Sequence, residues 1–202
     1  MRPTTFLLAV LAPLVSGFHL PANLPDGIYV AYYNSAGDEV HQPATLEIMN
    51  NPETYLDIGA PPAAATAAAV RSLRRADPWR YVCGCGFNMN HGDCDYAVEE
   101  LKKQCDRADG GVAFVPPGLA WYSIHGGVVA FICNPHGGGT VQGIGRSGLT
   151  ASYQHITDQC GWYVAGTYWY GVDPVGLDVG YMIYYSGLDF CAHAEGSSRT
   201  SC

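Results

Sequence analysis

Cysteine is absent from the first 82 residues of this 202-residue chain, and all eight cysteines lie beyond the Arg74-Arg75 pair. No Asn-x-Ser/Thr acceptor occurs, so ordinary N-glycosylation is not expected. No uninterrupted apolar run reaches the roughly 18 residues that a membrane-crossing helix needs. Acidic residues outnumber basic ones 18 to 10, and no basic cluster follows Arg75, which argues against a nucleic-acid phosphate surface. There is no Gly-x-Ser-x-Gly elbow. The glycine-rich stretch around Gly143-Ile-Gly145 lacks the Lys-Ser/Thr of a phosphate loop and reads as a loop, with His136 beside three glycines as a loop residue.

The leading segment has the order of a secretory signal. Met1-Arg2 supplies a positive start, Phe6 to Val15 is apolar, and Val15-Ser16-Gly17 places small or tolerated residues where a signal peptidase reads. Residues 1–17 are therefore expected to be a signal peptide cut after Gly17; the competing reading is a packed helix. Residues 18–75 form a cysteine-free segment in which Ile28–Tyr33 and Glu39–His41 read as a small hairpin around a turn at Asn34–Asp38. An Ala/Pro-rich linker between Gly59 and Ala69 leads into Arg71-Ser-Leu-Arg74-Arg75. That run resembles the dibasic signal of kexin-type secretory proteases, which makes residues 18–75 a candidate propeptide. A solvated helix end explains the same arginines.

Residues 76–202 then constitute the cysteine-bearing domain. An exported chain meets an oxidising compartment, so Cys83, Cys85, Cys94, Cys105, Cys133, Cys160, Cys191 and Cys202 are expected to form four disulfides, with connectivity left open. Asp93 is positioned to cap a helix whose apolar members Cys94, Ala97, Val98, Leu101 and Cys105 share one face, with Glu99 four residues before Lys103 on the other. Cys94 and Cys105 would lie about 16 Å apart along it and so would each pair elsewhere. Ser147 is placed to cap a second helix with a stripe of Leu149, Tyr153, Ile156 and Cys160. Ala120–Ile124, Gly127–Cys133, Trp162–Tyr170 and Leu177–Tyr185 read as strands, the second apolar throughout and so covered on both faces. The expected fold is α+β: an antiparallel sheet of about four strands with two helices packed on one face, stapled by disulfides.

Several of these features carry a family likeness. Cys83-x-Cys85, Asp93-Cys94 at a helix start, Val129-Ala130-Phe131 leading to Cys133, Ile156-Thr-Asp-Gln-Cys160-Gly161 and Tyr163-Val-Ala-Gly-Thr167 together resemble the killer-toxin-like and necrosis-inducing small secreted proteins of fungi. The likeness covers residues 81 to 192 and lies in spacing and element order. It implies roles in host necrosis or virulence, or in killing competing fungi, with maturation of several members by dibasic cleavage. The long cysteine-free front and the acidic balance depart from that pattern.

Three constellations suggest chemistry. Cys83, Cys85, His91 and Cys94 are residue types that hold zinc, but their spacing matches no standard finger and disulfides compete for the same sulfurs. A cysteine or Ser147 as nucleophile, His125 or His155 as base and Asp158 as orienter would make a hydrolase, against which an even cysteine count leaves no obvious free thiol. Tyr168, Trp169 and Tyr170 are candidate ligand-facing aromatics able to stack on sugar rings, although core packing explains them equally. The expected function is that of a secreted, non-enzymatic effector or killer-toxin-like protein without catalytic residues, metal or cofactor. Its partner would be a host or competitor surface component. The alternative is a chitin- or glucan-binding module of cell-wall polysaccharide.

Overall fold

The computed structural model describes residues 17–59, 81–134, 140–172, 175–191 and 199–202. The expected leader up to Ser16, most of the Ala/Pro linker, Arg74-Arg75 and His136 lie outside them.

Aromatic and β-branched residues build β1 (Gly27–Tyr33), whose alternation sends Val30 and Tyr32 to one side and Tyr29, Ala31 and Tyr33 to the other. Asn34 turns the chain by accepting the amides of Ala36 at 3.1 Å and Asp38 at 2.8 Å. Strand β2 (Glu39–Pro43) returns alongside. Two short helices follow, α1 (Leu46–Asn50) and α2 (Pro52–Tyr55).

Strand β3 (Tyr81–Asn88) leads into α3 (His91–Arg107), a 3-10 turn at Asp109–Gly111, β4 (Val112–Val115), β5 (Leu119–His125), β6 (Val128–Asn134) and β7 (Gln142–Gly145). Helix α4 (Arg146–Cys160) and strands β8 (Val164–Val172) and β9 (Val175–Ile183) complete the order. Seven strands form one antiparallel sheet in the order β2-β1-β5-β6-β9-β8-β3, and β4 pairs with β7 in a second, two-stranded sheet.

The main sheet is buried on both faces. Val128, Ala130 and Ile132 of β6 meet Ala97 and Leu101 of α3 and Leu149, Tyr153 and Ile156 of α4 in one core. Val129, Phe131 and Cys133 point the other way into a core closed by Phe18, Leu20, Leu188 and Phe190. This two-sided cover is why β6 is apolar at every position but its last. Trp121 has no exposed surface, and its indole N–H donates to the Phe114 carbonyl at 2.8 Å. Each fully buried large side chain of this kind stabilises the fold by about 1.5–3 kcal/mol.

The expected four-stranded sheet with two helices on one face is corrected, among the described residues, to seven strands plus a two-stranded sheet and four helices. The additional strands have a physical origin. β1 lies between β2 and β5, with Gly27–Tyr32 opposite Ile124–Leu119, so residues ahead of the first cysteine extend the sheet. The Cys83-x-Cys85 stretch is itself the edge strand β3, paired to β8.

Two helix caps differ as well. Asn90, not Asp93, caps α3, its Oδ1 accepting the Asp93 amide at 3.1 Å. Helix α4 starts after Gly145 with no side-chain cap, so Ser147 lies inside it. Glu99 pairs with Arg146, and Lys103 instead meets Glu100 at 2.8 Å.

Candidate functional site

Three disulfides form. Cys83–Cys160 joins β3 to the end of α4, Cys85–Cys202 joins β3 to the last residue, and Cys133–Cys191 joins β6 to the segment after β9. Cys94 and Cys105 are free thiols, which corrects the expectation of four bridges. Both face the core from α3, where burial pushes each thiol up to about 12. A thiol so protonated and enclosed is a packing group and a poor nucleophile. The zinc reading loses Cys83 and Cys85 to bridges, and His91 stacks instead on Tyr163 at 3.9 Å. Among the described residues no group of three His, Cys, Asp or Glu is placed to hold a metal ion.

The hydrolase residues are not brought together. Asp158 accepts from Gln154 at 2.7 Å, while His155 stacks on Tyr168 at 4.8 Å. His125 is paired with a residue that the sequence reading did not single out, Asp26, whose Oδ2 lies 2.8 Å from its Nδ1.

The three strand aromatics are all half-buried. Tyr168 and Tyr170 pack against the helix-side core, and Tyr168 also stacks on Tyr81 across the β3–β8 ladder. Trp169 takes the opposite side by strand alternation, against Gly176, where any Cβ would meet its ring at 2.7 Å. They form no common exposed row. The most exposed aromatic among the described residues is Trp162, 74% exposed at the entrance to β8. Beside it Tyr163 is held with φ +59°, its ring on His91 and its hydroxyl donating to Asp95 at 3.2 Å.

A separate cleft of about 320 Å³ opens where the start of β1, the end of β5 and the second turn of α3 meet. Its lining includes Asp26, Tyr96, Glu100, Ser123 and His125. Asp26 is fixed twice, by His125 and by the Gly126 amide at 2.9 Å. The Asp26 contact occupies Nδ1 of the imidazole, and among the described residues Nε2 has no partner. The Tyr96 ring stacks on His125 at 4.0 Å. Gly126 makes the corner with φ +51°, and a Cβ there would collide with the Asp93 carboxylate, which accepts the Gly127 amide at 3.0 Å. Asp93 thus ties α3 to the β5–β6 turn and holds the cleft's two walls together.

On the sheet's other face, Asp178 is buried and its Oδ1 accepts no hydrogen bond from the described residues. Burial pushes this carboxyl up to about 8.

Comparison with family models, curated proteins and solved structures finds no match for the chain. No helix of the described residues is long and apolar enough to cross a membrane.

Proposed function

We propose that the protein is a secreted, non-enzymatic binding protein of the effector or killer-toxin type, acting on a surface component of a host or competitor. The observation that carries this reading is the bridging of neighbouring β3 positions, Cys83 to the end of α4 and Cys85 to Cys202. Bridges of this kind form and persist in oxidising compartments, and they hold an outer surface in one shape through the hazards of an extracellular setting. The purified oxidised protein applied to host tissue or to competing cultures is expected to cause necrosis or growth arrest. Loss of that effect after reduction supports the reading, and an inert oxidised protein overturns it.

Exposed Trp162 favours a second reading, a module that binds cell-wall polysaccharide. A largely uncovered indole offers a flat apolar face to sugar C–H groups. Retention on insoluble chitin or glucan that is lost in Trp162→Ala supports this alternative.

A further inference from the structure

The cleft between β1, β5 and α3 presents a narrow set of chemistry. Asp26 and Glu100 contribute carboxylates, and the basic groups beside them are already engaged, Lys103 with Glu100 at 2.8 Å and His125 with Asp26 at 2.8 Å. Among the described residues, an anionic ligand would therefore meet negative charge with the neighbouring basic groups already paired. A guanidinium would have to share Asp26 with the Gly126 amide on Oδ1 and the imidazole on Oδ2, and the Lys103 ammonium, on Glu100 and 5.9 Å from the Tyr96 ring centroid, would repel it.

What remains suits single hydrogen bonds to neutral hydroxyl groups. Each engaged carboxylate oxygen keeps a further lone pair, Nε2 of His125 has no partner among the described residues, and the hydroxyl of the buried Ser123 can donate or accept. Ser123 and His125 are two apart on β5 and so share a side of the strand. Tyr96, 51% exposed, adds an aromatic wall, with Lys103 Nζ 5.9 Å from its ring centroid. At about 320 Å³ the cleft is at the small end of ligand sites and has room for a ring rather than a folded partner.

We propose that this cleft, built by Asp26, Tyr96, Glu100, Ser123 and His125, is a subsite for one neutral hexopyranose unit of an oligosaccharide. It rests on the polysaccharide reading given above and places a second contact apart from Trp162. The His125–Asp26 pair orients the imidazole before the sugar arrives, so little ordering is needed on binding.

The test follows the His125 ring proton resonances of the full oxidised chain during titration with chitotriose and, separately, laminaritriose. A saturable shift with either one supports the subsite and identifies which sugar it takes. Tyr96→Ala and Asp26→Asn are expected to weaken that binding tenfold or more, while Trp162→Ala leaves the His125 shift in place. The near-ultraviolet circular dichroism of each variant reports whether its fold is intact. No shift with either sugar at up to about 10 mM, where a site of millimolar Kd would be mostly occupied, overturns the proposal. Retention on insoluble polymer without a His125 shift overturns the subsite and leaves the polysaccharide reading standing; absence of both removes both. A shift produced only by an arginine-rich peptide assigns the cleft to a cationic partner and likewise overturns it.

Discussion

Asp178 stands directly across the β6–β9 ladder from Cys133, so a buried carboxyl lies beside the Cys133–Cys191 bridge. Directly opposed strand residues have Cβ atoms about 4.5–5.5 Å apart. Burial is what raises this carboxyl to about 8.

Stability should therefore be greatest in acid. Folded Asp178 keeps its proton up to about 8, while the unfolded carboxyl releases it near 3.8. The folded state thus binds more protons between those values. Its contribution is complete below about pH 4 and is lost as pH rises toward 8, a difference of a few kcal/mol. Thermal melts are expected to show Tm falling by roughly 5 to 15 °C from pH 4.5 to pH 8.5. Asp178→Asn should flatten that slope, and an unchanged slope in the variant would exclude Asp178 as its source.

Thiol counting separates three bridges from four. Denatured, unreduced protein is expected to titrate two thiols, from Cys94 and Cys105, and the native protein none on the same timescale because both are buried. Zero thiols after denaturation would restore the four-bridge arrangement.

Loss of the Cys133–Cys191 bridge should be costly. It closes a separation of 58 residues, for which the chain-entropy estimate is about 4 kcal/mol. The double variant Cys133→Ala/Cys191→Ala is expected to unfold roughly 8 to 16 °C lower than the parent. A shift within a degree or two would show that the two cores hold the segment without it.

Cutting at Arg75 should not by itself release the front of the chain. No cysteine precedes Cys83, so residues 17–59 have no covalent link to the body other than the main chain. Yet β1 pairs with β5, and Phe18, Leu20, Tyr29 and Tyr33 fill the core behind the sheet. A protein cleaved after Arg75 is expected to elute as one species under native conditions and to run as two chains under denaturing, non-reducing conditions. Spontaneous separation in native buffer would contradict this.

The two long helices were the most legible part of the sequence. Cys94, Ala97, Leu101 and Cys105, and again Leu149, Tyr153, Ile156 and Cys160, repeat at the helical period and are buried in α3 and α4, where Ser152 is buried as well. The unbroken apolar run of β6 likewise announced cover on both faces. The place of β1 in the sheet left no such local mark, because its partner β5 is far along the chain and pairing between distant strands is set by packing. The even number of cysteines suggested four bridges, but parity says nothing about direction, and the helical twist turns Cys94 and Cys105 into the core. Asp26 escaped notice for a related reason. Next to Gly27 it reads as a turn residue, and only the approach of the β5–β6 corner makes it the partner of His125.

Phe18 lies within the packed layer behind the sheet, against Tyr33 and Phe190, and the Tyr33 hydroxyl donates to the Gly17 carbonyl at 3.1 Å. Loss of the chain through Leu20 would strip aromatic and aliphatic bulk from the interior, so these few residues are a condition for the sheet to keep its back closed.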